Sequence, residues 1–221
     1  MFLDWGSTLD HLPELLKAAG LTLYISAYGF AIALLIACLG AAGRLSRNRL
    51  AKGCADFYIE VIRNTPLLLQ IYLVFYGLPS MGLRLSATNA AILGLALNVG
   101  AYLAEIFRSG VLSVPPGQLE AARALGMGRV HRLLYIIVPV CLRNVFPSLT
   151  NMTIATLLGA SLASVIAVAE LTGQTNAISA RTFLTIELYA IAALIYIAMT
   201  LGTGLLMGVL QNRLFPRRSR A

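Results

Sequence analysis

Glu60, Arg63 and Glu105 are ionisable residues placed inside apolar stretches, where charge is costly enough to need a partner or a purpose. Glu60 and Arg63 are spaced to share one helical face. If neighbouring stretches run antiparallel with an edge near Phe57 and Arg108, Arg63 lies roughly 9 Å deep and Glu105 roughly 4.5 Å deep, at about 1.5 Å per residue. A structural Arg63 to Glu105 pair is the preferred reading. Capture of a passing carboxylate by Arg63 ranks second, because its neighbours already balance it. Pro66 removes a backbone donor, so it either kinks its helix or starts a new one with Thr65 as N-cap. Gln70, Asn98 and Asn151 can hydrogen-bond between helices, at about 0.6 kcal/mol each. Arg63, Thr65, Gln70, Glu105, Asn151 and Ser161 are the intramembrane polar candidates for a pathway lining.

Covalent and metal chemistry find no constellation. His11 and His131 lie far apart, no H-E-x-x-H occurs, and no serine or cysteine has an evident base. Cys38, Cys54 and Cys141 form an odd set without C-x-x-C spacing, so they read as packing residues. No G-x-x-x-x-G-K-[ST] phosphate loop is present.

The elements carrying these residues must lie in a membrane. The chain has 221 residues, 58% of them hydrophobic and 12% charged, with mean hydropathy +0.80. Spans are predicted at about 21–42, 57–79, 88–107, 145–169 and 187–210, giving five transmembrane helices in a single all-α membrane domain over residues 1–221. The charge of +8 comes from basic residues interleaved with apolar spans, which argues for topology and against nucleic acid. An external N-terminus puts the basic runs Arg44–Lys52, Arg108–Arg143 and Arg213–Arg220 inside, leaving Lys17, Arg84 and Arg181 outside. Asp4, Asp10 and Glu14 precede the first basic residue, Lys17, the reverse of a signal peptide, so no cleavage is expected.

This topology makes residues 108–144 a cytoplasmic loop too long for a simple turn. Its sequence predicts a short helix from Gln118 to Leu125, a break at Gly126–Gly128 and an amphipathic helix ending before Pro139. Taken alone, such a loop could simply rest on lipid headgroups with its basic residues meeting anionic lipid.

The motif inside it points elsewhere. Glu120-Ala121-Ala122, then Gly126, Ile136 and Val138-Pro139, resembles the EAA loop of binding-protein-dependent ABC permeases. Arg63-Asn64-Thr65-Pro66-Leu67-Leu68 with Gln70 resembles the R-G-T-P-L-L-x-Q element of the polar amino acid permeases. Ala101-Tyr102-Leu103-Ala104-Glu105 through Arg108 resembles their A-Y-x-A-E-x-x-R. Ser113-Val114-Pro115, Gly117-Gln118-Leu119-Glu120, Pro147 to Asn151, Ser161 to Ile166 and Glu170-Leu171-Thr172 extend the likeness to roughly residues 55–196.

That family imports histidine, glutamine, glutamate, arginine, cystine or opines across the bacterial inner membrane. The resemblance implies that Glu120, Ala121, Ala122, Gly126 and Pro139 couple the chain to an ATPase subunit dimer. It also implies ATP and Mg used by that partner, no cofactor in this chain, a second permease subunit of the same or different type, and an extracytoplasmic solute-binding protein. The outside loops at Pro79–Ser86 and Thr172–Arg181 should then meet that receptor. One departure stands out. Where the family reads L-L-K-D-T-S-L, this chain has Leu157-Leu158-Gly159-Ala160-Ser161-Leu162. A secondary transporter or channel is the alternative, disfavoured by the absence of a detectable repeat or an acidic proton-relay ladder.

Overall fold

The computed structural model describes residues 5–215, and those residues are all helix and connector, with no strand among them. Asp4, used above against a signal peptide, and Arg217, Arg218 and Arg220, used for topology, lie outside the described residues. The helices are α1 (Trp5–Leu9), α2 (Leu12–Arg44), α3 (Arg49–Arg63), α4 (Leu67–Ser80), α5 (Ala87–Leu112), α6 (Pro116–Ala124), α7 (Arg129–Ile166), α8 (Leu171–Thr182) and α9 (Thr185–Leu214). Four of them, α2, α5, α7 and α9, are long and apolar enough to cross a membrane.

The second predicted span is a bent pair. α3 and α4 meet at 108°, so the stretch 57–79 is interrupted at Pro66, where a kink or a new helix start was expected. Pro66 explains the break, because it lacks an amide hydrogen and forces the residue before it out of helical geometry. Pro66 itself takes the N-cap position of α4, not Thr65. Thr65 Oγ1 instead turns back to the Val61 carbonyl, 2.7 Å away.

Three prolines, Pro79, Pro139 and Pro147, are absorbed without a break, the first two behind π turns. Pro79 follows a π turn at Leu73–Gly77, and Pro139 follows another at Leu133–Ile137. A π turn makes i→i+5 bonds, so it rearranges the carbonyls just where the proline ring would clash and donate nothing. The helix predicted to stop before Pro139 therefore continues through it, and α7 is one span from Arg129 to Ile166. The loop proper shortens to residues 113–128. The last part of the fourth predicted span is not helical either, since Ala167 is left-handed at φ 61° and ends α7.

The core is the α2–α5 pair. Side chains as small as hydrogen let these backbones approach, the packing that serves where lipid provides no hydrophobic drive. A methyl group at Gly100 would fall 2.8 Å from Ile36 Cγ2, and one at Gly40 would fall 2.9 Å from Ala104 Cβ. Ile25, Ala33, Ala37, Leu95, Leu103 and Ala104 are buried along this contact. The segment Thr172–Arg181, expected to be a loop, belongs to a helix. Leu171, Thr175 and Ile178 of α8 repeat at i, i+4 and i+7 and are buried, with Leu171 and Ile178 joining Leu15 and Leu188 in a second cluster. Gln174 and Arg181 also donate to Glu14 of α2 at 2.9 and 2.8 Å.

Candidate functional site

The short helix α6 is defined at both ends by local chemistry. Pro115 takes its N-cap, and Pro116 takes the first helical position, where a missing amide hydrogen costs nothing. At the other end the Gly126 amide donates to the Arg123 carbonyl at 2.9 Å and the Met127 amide to the Ala122 carbonyl at 3.0 Å. These are the two bonds of a Schellman cap, and Gly126 supplies its left-handed residue at φ +73°. Ala122 is buried at 2% exposure as α6 packs back on the first turns of α7, while Glu120 and Ala121 are exposed. The five predicted coupling residues therefore divide. Glu120, Ala121 and Gly126 are on the open surface of the loop, Ala122 faces inward, and Pro139 is exposed on α7 beyond the π turn.

The bend between α3 and α4 shapes a cleft of about 500 Å³ lined by Arg63, Asn64, Thr65, Pro66, Leu67, Asn98 and Tyr102. Gln70, 5% exposed, stabilises the bend from behind. Its Nε2 donates to the carbonyls of Ile62 at 2.8 Å and Thr65 at 2.9 Å, where α3 ends. Its Oε1 is buried without a partner. Gly159 is outside the cleft lining and packs against Leu67 and Leu95, a methyl group there lying 3.3 Å from Leu67 Cδ2 and 3.4 Å from Leu95 Cδ1. Asn151 is exposed on α7, and Ser161 Oγ bonds the Leu158 carbonyl at 2.6 Å. Neither lines the cleft.

The predicted Arg63 to Glu105 pair does not form. Glu105 is held by Arg44 from the end of α2 and by Arg108 Nη1 at 2.9 Å, one turn along its own helix. Arg44 Nε also reaches Asp56 of α3 at 2.5 Å, so one guanidinium joins three helices. Arg63 instead lies over the Tyr102 ring, 5.3 Å from its centroid, a cation–π contact. Both arginines, with Glu60 and Glu105, border an adjoining polar cleft of about 410 Å³. Depth along the membrane axis brings Arg63 and Glu105 near one level but does not make them neighbours. Arg44, at the charged edge of the first span, is more than one helix away along the chain and closer in space.

Glu170 is a second site missed from sequence. It is fully buried in the connector after α7, caps α8 through the amides of Thr172 (3.1 Å) and Gly173 (2.9 Å), and lies within 3.2 Å of Thr22 Oγ1 and 3.1 Å of the Tyr196 hydroxyl. Burial pushes its carboxyl above the ordinary value, against the pull of the Gly173 and Thr172 amides. An acidic residue immediately before Leu171-Thr172-Gly173 was the available signal for an N-cap. No group of His, Cys, Asp and Glu suited to a metal occurs among the described residues.

The geometry combines a capped helix presented at one end of a bundle of long apolar helices with a polar cleft at a broken one. A family model described as "Binding-protein-dependent transport system inner membrane component" matches residues 21–220. The chain belongs to this family. The permease is 37% identical over 216 residues to the glutamine transport system permease protein GlnP of Escherichia coli (strain K12), covering 97% of this chain and 99% of that protein. It is 38% identical over 215 residues to the octopine transport system permease protein OccM of Rhizobium meliloti, covering 93% and 88%. A crystal structure described as an amino acid ABC transporter with histidines superposes with TM-score 0.89 at 37% identity, over 96% of the permease and 100% of that chain. An inward-facing methionine ABC transporter, MetNI, shares the fold at TM-score 0.65 and 15% identity. The permease is thus the inner-membrane subunit of an ABC importer and not an enzyme. ATP hydrolysis belongs to a partner subunit, and solute capture to a binding protein.

Proposed function

We propose that the permease carries an amino acid or amino acid derivative inward and receives its driving motion through α6. The observation that carries this is the Schellman-capped helix Pro116–Ala124, which leaves Glu120, Ala121 and the left-handed Gly126 open at the surface while Ala122 anchors it inward. A short rigid helix transmits displacement better than coil, and its alanine surface permits close approach by a partner. Glu120 adds a charge for an Arg or Lys across that contact.

In this proposal residues 1–221 form a single membrane domain with five crossings, α3 and α4 together making the second. The N-terminus is outside and the C-terminus cytoplasmic, so that Arg44, Arg47, Arg49 and Lys52 fall inside. An ATPase dimer using ATP and Mg binds below. A second permease subunit and an extracytoplasmic solute-binding protein complete the assembly. The names of the relatives, glutamine and octopine permeases, support the amino acid class. The cleft of Arg63, Asn64, Thr65, Leu67, Asn98 and Tyr102 is the proposed polar stretch of the pathway. Leu158, Gly159 and Ala160 lack the polar residues of the family motif, which favours a different second permease subunit carrying the polar substrate contacts.

Reconstitution with the partner ATPase and binding protein tests the whole assignment. Uptake of labelled amino acid should require ATP, and Gly126→Asp should keep the protein in the membrane while separating hydrolysis from uptake. Normal uptake by that variant at normal abundance defeats the coupling role. Full activity of a homodimer with the ATPase defeats the second-subunit proposal.

A further inference from the structure

Four arginines converge on one cleft with no carboxylate to balance them. The cleft, of about 810 Å³, is bounded by Leu45 and Arg47 after the end of α2, Leu119 and Arg123 of α6, and Arg129, Arg132, Leu133 and Ile137 of α7. Among the described residues, none of these arginines forms an ion pair, and no Asp or Glu lines the cleft. Unpaired like charges repel, so the arrangement gains from an anion that sits between them.

An apolar groove of about 400 Å³ leads away from the same place. Leu45, Leu133 and Ile137 belong to both cavities. From there the groove continues between Cys38, Ala41 and Ala42 of α2, Phe107 and Val111 of α5, and Val138, Cys141 and Leu142 of α7. From Leu45 back to Cys38 it follows α2 for about 10 Å into the apolar span, at about 1.5 Å per residue. Its surfaces are left open, with Leu133 at 47% and Leu142 at 38% exposure. Charge at the membrane edge followed by hydrocarbon along the span matches one class of molecule, an anionic amphiphile oriented as it lies in a bilayer leaflet.

We propose that the two cavities are one binding site for an anionic phospholipid of the leaflet at the α6 end of the molecule. Its phosphate is held by the guanidinium forks of Arg47, Arg129 and Arg132, and one acyl chain lies in the groove. Arginine suits this role because its planar donors engage two phosphate oxygens at once. Leu119 and Arg123 are on α6, so the bound lipid would brace the proposed coupling helix against α2 and α7. That consequence rests on the coupling role, whereas the lipid site does not.

The test uses the full-length permease purified with its ATPase partner, delipidated, and offered dioleoylphosphatidylglycerol or dioleoylphosphatidylcholine, with retained lipid counted by native mass spectrometry. The unmodified protein should retain the anionic lipid at least tenfold better, since each basic residue near an anionic headgroup is worth about fivefold. Arg47→Gln with Arg132→Gln should abolish that preference, and Arg47→Lys with Arg132→Lys should keep most of it. Ala42→Trp, which fills the groove and leaves every arginine in place, should cut retention of the anionic lipid several-fold. Equal retention of the two lipids by the unmodified protein overturns the proposal, as does a preference that survives both the glutamine pair and Ala42→Trp. Loss of the ATPase from the glutamine pair, with lipid preference intact, assigns the arginines to a protein contact and also overturns it. ATP-driven uptake is read separately, so failure of the lipid site leaves the importer assignment standing.

Discussion

Gln70 Nε2 lies 2.8 Å from the carbonyl oxygen of Ile62, joining the start of α4 to the end of α3 across the break at Pro66. The same amide reaches the Thr65 carbonyl at 2.9 Å, so one side chain replaces two bonds that a continuous helix would have made. Gln70→Leu should destabilise the purified protein by about 1 kcal/mol, the net worth of hydrogen bonds to half-buried carbonyls. Gln70→Glu should be worse, because it aims a second acceptor at the two carbonyls. Thermal unfolding in detergent gives the order, and a glutamate variant as stable as the wild type rules out the role described.

A graded series at Gly126 separates strain from contact. Its φ of +73° is left-handed, yet a methyl group there would have nothing within 4 Å. Gly126→Ala should therefore cost about 1–2 kcal/mol through the backbone alone. Gly126→Asn should cost less, since asparagine tolerates this region. Any further loss of coupling in the asparagine variant must come from outside the chain, where the ATPase is proposed to sit. Unfolding midpoint and binding-protein-stimulated hydrolysis, measured on the same preparations, distinguish the two effects. Equal stability of the alanine and glycine proteins removes the backbone argument.

Local signals were legible in the sequence, and distant pairings were not. Apolar runs located α2, α5, α7 and α9, and the Gly126 break, Pro115 and Pro116 marked both ends of α6 to within two residues. Pro66 announced a break, but nothing in the chain encodes its 108° angle separately from the packing on α5. Pro139 read as a stop because the π turn ahead of it has no sequence signature of its own. The helix α8 was taken for a loop because its alternation of Thr, Gly, Gln and Ser hides the Leu171, Thr175 and Ile178 face. Glu105 was given the wrong arginine because depth estimates rank residues along one axis only, whereas Arg44 approaches from a third helix.

The Arg44 junction should be costly to break. Its side chain is 18% exposed and its two acceptors, Asp56 and Glu105, 30% and 28%. Arg44→Ala would leave Asp56 without its ion-pair partner and Glu105 with Arg108 alone. The expected loss is about 2 kcal/mol, below the ~3–5 of a fully buried pair because water still reaches all three groups. Arg44→Lys should recover only part of it, since an ammonium cannot serve two carboxylates with a fork. Arg63→Ala should cost about 0.5–1 kcal/mol, the worth of an exposed cation–π contact. Unfolding measurements that rank Arg63→Ala above Arg44→Ala would restore the rejected pairing.

Glu170 carries a pH dependence whose sign follows from its burial. Its folded-state carboxyl titrates above the ordinary 4.5, with desolvation the leading cause and the Gly173 and Thr172 amides opposing it. A raised folded value means that the native state holds its proton more tightly than the unfolded chain. The stability this provides is complete below pH 4.5 and is lost as pH rises through the raised value. Glu170→Gln keeps the shape and cannot ionise, and its single carbonyl oxygen keeps one of the two amide contacts, which reach different carboxylate oxygens, so its melting temperature is lower at acid pH but should not share that decline. The wild-type and glutamine proteins should therefore diverge with rising pH above the ordinary carboxylate range, the glutamine protein becoming the more stable relative to wild type. Parallel curves across that window would mean that the Thr22 and Tyr196 hydroxyls and the two amides fully compensate the buried charge.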